Sequence, residues 1–235
     1  ELPAKQTFML KKTALIFAFL TVFTAFHSFN ADFAAPADAF AVEADDHSLL
    51  SEGEYVISAY DNIIRSVSER EGNDWRLLSA IAYHESRFTP DAVSGRGARG
   101  LMQIMPVVAR QFEVPADAVA DPATNVWLAN RLLKKIDTTL RFARNVPERD
   151  RMSIVLASYN GGIGHVSDAR RLAGLYGENP DSWEVVARYL ELKADSAYYE
   201  NEAVKYGKFT GSRQTIAYVR DVMGRYDKYC RIARR

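Results

Sequence analysis

The chain has 235 residues, with Lys+Arg and Asp+Glu both at 30, 48% hydrophobic and 26% charged. Its zero net charge excludes a nucleic-acid scaffold or a basic membrane-surface module, since each needs an excess of Lys/Arg on one face, and the apolar share excludes wholesale disorder. A lone cysteine, Cys230, excludes a disulfide framework and a Cys-rich zinc module, and the four histidines (His27, His47, His84, His165) have no metal-ligand spacing.

Near the N-terminus, Met9, Lys11 and Lys12 precede an apolar run over residues 14–26, interrupted only by Thr21 and Thr24. Small residues follow at Ala31, Ala34, Ala35, Ala37, Ala39 and Ala41. A basic region, about 7–15 apolar residues and an Ala-rich exit are the build of a secretory signal peptide. The run falls short of the about 20 residues a bilayer span needs, so an uncleaved anchor is the alternative reading. Residues 1–40 therefore read as an N-terminal extension and signal peptide, and 41–57 as an acidic linker. The remainder is expected to be exported to the periplasm or cell envelope once the leader is cleaved.

Helical periodicity dominates residues 58–235, which read as one mainly α domain. Tyr60, Ile63, Ile64 and Val67 recur at offsets 3, 4 and 7, on a helix that ends near Gly72. Asn73 or Asp74 can cap the next helix, through Trp75, Leu78, Ile81 and Ala82. Asp121-Pro122 is a cap followed by proline at the first helical position, opening a helix through Trp127, Leu128, Leu132, Leu133 and Ile136. Residues 147–159 form another, closed by Gly161-Gly162, and residues 164–176 a further one. A last helix begins after Gly211-Ser212 and carries Val219, Val222, Met223 and Tyr226 on one face. Strand-like alternation is almost absent, and no repeat recurs at a fixed period.

Three stretches carry chemistry. Glu85 lies seven, four and three residues after Leu78, Ile81 and Ala82, hence on the apolar face of its helix and near its end. A carboxyl there is partly desolvated, which raises its pKa and suits a general acid; the alternative is a glutamate that frays outward or pairs with Arg87. Residues 94–100 form a Gly-rich loop whose Gly95, Gly97 and Gly100 match a dinucleotide fingerprint. That reading needs a preceding strand and a βαβ unit, so it is set aside. The loop runs into Leu101, Met102, Gln103 and Ile104, either bringing backbone and an amide close to a ligand or making an ordinary helix-linking turn. Tyr159 follows Met152 and Val155 by seven and four residues, so its ring faces the core while its hydroxyl can reach a cleft. Asn160 then stands at the helix end, where the glycines also permit a plain helix stop.

Other conspicuous residues carry plainer readings. His84 points away from the Glu85 face, His165 packs near a helix start, and Asp91 follows Pro90 in a surface turn. Arg170-Arg171 and Arg234-Arg235 read as solvated charges, and Cys230 as an idle thiol. Tyr198, Tyr199 and Tyr206 either stack on sugars or pin a long loop.

Taken in order, His84-Glu85-Ser86-Arg87-Phe88, Gly100-Leu101-Met102-Gln103-Ile104-Met105-Pro106 and Ala157-Ser158-Tyr159-Asn160-Gly161-Gly162 resemble the soluble lytic transglycosylase domain, family 1 of the lytic transglycosylases. The closing stretch, Tyr206-Gly207-Lys208-Phe209 with Gly211 and Tyr218-Val219, looks most like the catalytic half of the membrane-bound transglycosylases F. The resemblance spans residues 58–230. It implies a lysozyme-like fold of packed helices with a substrate cleft. It also implies cleavage of the β-1,4 bond between N-acetylmuramic acid and N-acetylglucosamine in peptidoglycan. Position by position, Glu85 matches the catalytic acid/base, Ser94 the serine near the muramyl N-acetyl group, and Met102 and Gln103 groove-lining residues. Tyr159 and Asn160 match the pair bordering the scissile bond, and Tyr218 the late tyrosine near the glutamate. Where the family usually has Glu-Thr four residues before that tyrosine, this chain has Gln214-Thr215, an amide without the charge. Neither the solute-binding-like module of transglycosylase F nor a cell-wall-binding repeat is evident.

The implied product carries a 1,6-anhydromuramyl end, formed with Glu85 alone and without cofactor or metal. The expected partners are peptidoglycan glycan strands and proteins of cell-wall synthesis or remodelling, with no nucleic acid, and the expected state is a monomer. Two alternatives remain open at this point: a hydrolytic muramidase of the same fold, with Asp91 the nearest second carboxylate, and a non-catalytic peptidoglycan-binding module.

Overall fold

The computed structural model describes residues 56–232. The signal-peptide segment, the linker up to residue 55 and Arg234-Arg235 lie outside the described residues. Among the described residues nine α-helices follow in order: α1 (Asp61–Glu71), α2 (Trp75–Ser86), α3 (Pro106–Gln111), α4 (Pro122–Leu140), α5 (Glu148–Gly161), α6 (Ile163–Leu175), α7 (Trp183–Leu192), α8 (Ser196–Tyr199) and α9 (Ser212–Ile232). A 3-10 turn, Ala118–Ala120, precedes α4. Among the described residues the only β pairing is two isolated bridges, Val93–Arg99 and Arg99–Ile104, so the mainly α expectation holds.

Local chemistry sets most helix ends. Gly72 closes α1 at φ 73, its N–H donating to Ser68, a left-handed turn for which glycine has no Cβ penalty. Asp74, the second of the two cap candidates, accepts the Arg76 N–H at 2.9 Å. Asp121 accepts the Thr124 N–H at 2.7 Å, with Pro122 at the first helical position of α4. Glu148 and Asp150 place negative charge on the N-terminal turn of α5, where the helix dipole favours it.

Two differences from the sequence reading concern position and number. Helix α5 runs through Asn160 to Gly161, and Gly162 alone, at φ 93, turns the chain into α6. The space beside Gly161 is occupied, which is why a glycine stands inside the helix: a Cβ there would come 2.7 Å from Thr215 Oγ1. Helices α3, α7 and α8 were not anticipated. Trp183, Val186, Tyr189 and Leu190 do carry a helical spacing for α7, but a helix of 10 residues beside aromatic-rich loops gives a short signal.

Helix α4 is deeply embedded over its first half. Its residues 123–130 are all buried, so that half is covered all round, whereas beyond it only Leu133, Ile136 and Leu140 are buried, along one stripe. The long α9 packs across α2 and α5, and this crossing brings α9 residues to the C-terminal end of α2.

Arg170 and Arg171 correct the sequence reading: both are structural. Arg170 donates to the carbonyls of Leu140 at 2.6 Å and Pro180 at 3.0 Å and pairs with Asp181. Arg171 donates to the Ala203 carbonyl at 2.8 Å and pairs with buried Asp168. Read as solvated charges, these arginines instead find acceptors at the end of α4 and in loops that fold back over α6, which local sequence does not foresee. Arg170→Ala, which would leave those acceptors without their donor, is expected to lower stability by about 2–3 kcal/mol. A urea-denaturation midpoint unchanged from wild type would show that these bonds are replaced by water.

Candidate active site

Helix α2 places Glu85 in its last turn, one turn beyond Ile81 and Ala82 and two beyond Leu78, all fully buried. The helix then stops abruptly. Arg87 and Phe88 both sit at positive φ (56 and 61), a region that costs a non-glycine residue about 1 kcal/mol or more. Tyr83 holds them there: the Arg87 guanidinium lies 4.1 Å from its ring centre and the Phe88 ring meets it edge-on at 5.9 Å. The chain is thereby redirected into the 89–104 loop immediately after Glu85.

The Glu85 carboxyl is half-buried, and its Oε1 accepts a hydrogen bond from Tyr218 Oη at 2.8 Å. Burial pushes its pKa up to about 7, while the Tyr218 hydroxyl, which favours the ionised form, pulls the other way. A carboxyl poised near neutrality can both give and take a proton. Tyr218 and Tyr159 are held well above the ordinary phenol range, by burial first and then by the nearby Glu85 charge, so both remain neutral donors. Tyr159 Oη donates to the Met102 carbonyl at 2.7 Å. His84, expected to point away from the Glu85 face, meets the ring of Tyr218 edge-on at 5.7 Å.

The loop facing Glu85 is braced from within. Ser94 Oγ accepts the Ala98 N–H at 2.9 Å. Gln103, itself at φ 49, donates from Nε2 to the carbonyls of Ala92 and Gly100, both at 3.1 Å. Met102, expected to line the groove, is fully buried and reaches the site through its backbone. Ser86 Oγ ties the end of α2 to the Leu101 carbonyl at 2.9 Å. Asn160 is exposed at the end of α5, and its Oδ1 accepts the Thr215 hydroxyl at 3.0 Å. Glu85, Tyr159 and Tyr218 thus come together, with Met102 as the link to the loop and Asn160 on the adjoining rim.

Two residues of this architecture escaped the sequence reading. Asn125 is fully buried in α4; its Oδ1 accepts the Met102 N–H at 2.8 Å and its Nδ2 donates to the carbonyls of Arg99 and Val119, each at 2.9 Å. Gly100, at φ 78, leaves room for that amide, which a Cβ would overlap. Thr215, beside the departure at Gln214, is the partner of Asn160, whereas Gln214 itself is exposed. An amide amid the apolar run of α4 was the available signal for Asn125; nothing local marked Thr215.

The remaining candidates separate. Tyr198 joins an aromatic group with Tyr176 and Tyr189, Tyr199 lies under Lys208, and Tyr206 covers Gly164. All three pin the 195–209 segment. Asp91 is exposed in its turn, and Cys230 is half-buried in α9. Among the described residues no cluster of three His, Cys, Asp or Glu is placed to hold a metal ion.

Residues 62–181, just over half of the chain, match the Transglycosylase SLT domain. The chain belongs to this family. The match contains Glu85, Ser94, Met102, Gln103, Tyr159 and Asn160 and ends before Tyr218. Among curated proteins the chain is similar to the membrane-bound lytic murein transglycosylase F of Alcanivorax borkumensis, 38% identical over 168 residues, covering 72% of this chain and 34% of that protein. The protein of the same name from Marinobacter nauticus is 34% identical over 173 residues, covering 74% and 33%. The matched region of this SLT-domain chain thus spans about a third of the length of those relatives. Among solved structures, a lytic transglycosylase Slt of Pseudomonas aeruginosa aligns at 22% identity and TM-score 0.49, covering 74% of this chain and 24% of that one.

Proposed function

We propose that this chain is a peptidoglycan lytic transglycosylase, cleaving the β-1,4 bond between N-acetylmuramic acid and N-acetylglucosamine and leaving 1,6-anhydromuramyl ends. The observation that carries the reading is the setting of Glu85: a carboxyl at the end of α2 beside fully buried apolar residues, whose Oε1 accepts the Tyr218 hydroxyl at 2.8 Å and whose pKa burial raises to about 7. A glycosidase that hydrolyses usually works with two carboxyl groups. A single carboxyl that is protonated near neutral pH suffices when the substrate supplies its own nucleophile.

In that chemistry protonated Glu85 gives its proton to the glycosidic oxygen as the bond to the muramyl anomeric carbon breaks. The N-acetylglucosamine side departs as an alcohol, and the neighbouring N-acetyl group stabilises the positive charge left on the muramyl ring. Glu85, now ionised and held by the Tyr218 hydroxyl, takes the proton of the same sugar's C6 hydroxyl. The C6 oxygen bonds to the anomeric carbon, closing the anhydro ring and returning Glu85 to its starting state. No water is consumed, and intramolecular attack replaces the service of a second carboxylate. Ser94, Met102, Gln103, Tyr159, Asn160 and Tyr218 form the surrounding walls, with the exposed Asn160 amide the group best placed to meet the sugar. The N-terminal apolar run serves as the export signal that delivers the enzyme to the cell envelope. Among the described residues no helix is long and apolar enough to cross a membrane.

Mass spectrometry of muropeptides released from purified sacculi tests the reaction. Anhydromuramyl products are expected. Products one water heavier would make the protein a hydrolase, and binding to sacculi without release would make it a binding module.

A further inference from the structure

Away from Glu85 the molecule buries a charged pair that the chemistry above does not use. Asp168 in α6 and Lys193, the residue that ends α7, are both fully inaccessible and meet at 2.7 Å. Asp168 is surrounded by donors. Its Oδ1 accepts the Lys205 N–H at 2.8 Å and the Arg171 guanidinium; its Oδ2 accepts the Tyr206 N–H at 2.9 Å and Lys193 Nζ. The Lys193 carbonyl accepts the Phe209 N–H at 3.1 Å, and Lys193 Nζ lies 3.2 Å from His165 Nδ1. The same two residues therefore fasten both ends of the 205–209 turn.

What that turn touches leads back to the site. The Tyr206 ring fills the space beside Gly164, where a Cβ would come 2.6 Å from it. Phe209 stacks on His165 at 4.4 Å, and its ring reaches Gly161, where a Cβ would stand 3.1 Å away. Gly161 follows Asn160 and also abuts Thr215, the hydrogen-bond partner of Asn160. Resting on the function proposed above, we infer that Asp168 and Lys193 are positioning residues of the active site: they fix the 205–209 turn as the support against which buried Thr215 holds Asn160 toward the substrate.

A buried ion pair is a weak device for stability, because desolvation offsets most of the attraction and apolar residues of equal volume often serve as well. What a carboxylate adds here is four acceptor positions in fixed directions, two of them on consecutive backbone amides. An asparagine cannot supply them, since half of its side-chain end is itself a donor.

Two variants test the inference by different routes. Asp168→Asn removes the acceptors; Gly164→Ala leaves the pair intact and displaces Tyr206. Each is measured for KM and pH profile on glycan strands, for amide exchange, and, in a Glu85→Gln background that needs no turnover, for Kd on the same strands. In both, exchange at Lys205, Tyr206 and Phe209 is expected to accelerate while α2 stays protected. KM and Kd are expected to rise about tenfold, about 1.4 kcal/mol, and the upper limb of the pH profile to stay in place because the Glu85–Tyr218 bond is untouched. Should Asp168→Asn fail to fold, Gly164→Ala decides alone. Faster exchange in the turn with KM and Kd unchanged would overturn the inference. A wild-type protein that forms no anhydro product while the Kd effect persists would sink the transglycosylase reading and leave the positioning role standing.

Discussion

Glu85→Gln is expected to abolish the release of anhydromuramyl products, with a loss of about 10³-fold or more, at the upper end of what removing a positioned acid/base group costs. The glutamine keeps the shape and can still accept from Tyr218, but it can neither give nor take the proton. The pH dependence follows from the same carboxyl. Activity requires the protonated form, so turnover is expected to fall as pH rises through about 7, where burial has placed Glu85. Tyr218→Phe removes a bond that favours the ionised form, so its descending limb is expected at higher pH than that of wild type. A limb that stayed put in Tyr218→Phe would assign it to another group. Stability carries the same sign. The folded state holds the Glu85 proton more tightly than the unfolded chain, so this contribution is complete below about pH 4.5 and is lost as pH rises through about 7. The difference between the two pKa values corresponds to roughly 3 kcal/mol at alkaline pH. Relative to wild type, Glu85→Gln is therefore expected to gain melting temperature between pH 5 and pH 9; equal melting curves at both would mean that the carboxyl is well solvated.

The largest structural effect is expected at Asn125. Truncation to alanine would orphan the Met102 N–H and the Val119 carbonyl, leave the Arg99 carbonyl with the Ile104 N–H as its donor, and open a cavity in α4. A buried polar group without a partner costs about 1–3 kcal/mol. With two such groups left without a partner, the loss is expected near 4 kcal/mol, a fall in melting temperature of roughly 10 °C for a domain of this size. Activity should fall further than stability predicts, because Met102 carries the carbonyl that holds Tyr159 and its loop faces Glu85. Asn125→Ala with wild-type melting and full turnover would show that the loop does not depend on this amide. Asn125→Asp retains the acceptor for Met102 but not the donors, and is expected to fall between the two.

How much of this was legible beforehand varies with the range of the interaction. The caps at Gly72, Asp74 and Asp121 and the apolar faces of α1, α2 and α9 rest on neighbours within one or two helical turns, and each was readable from spacing. The desolvation of Glu85 was readable for the same reason: its three apolar neighbours on α2 lie within seven residues. Arg170 and Arg171 were misread because their acceptors come from loops up to 32 residues away. Helix α5 outran its expected end: Gly161 is a glycine because a Cβ there would meet Thr215 and Phe209, a packing reason that no glycine-as-breaker rule includes.

By itself, then, the sequence determined a mainly α chain, a carboxyl on an apolar helix face and a Gly-rich loop after it, together with the three motifs whose order marks the family. Only the tertiary structure decided that Tyr218, 133 residues away, holds that carboxyl, that Asn125 carries the loop through its backbone, and that Thr215 steadies Asn160 across 55 residues. Periodicity and capping are written in the free energies of single turns, which a short window of sequence contains. The pairing of one helix with another depends on crossing angles and side-chain volumes summed over the whole core, and no short window contains those.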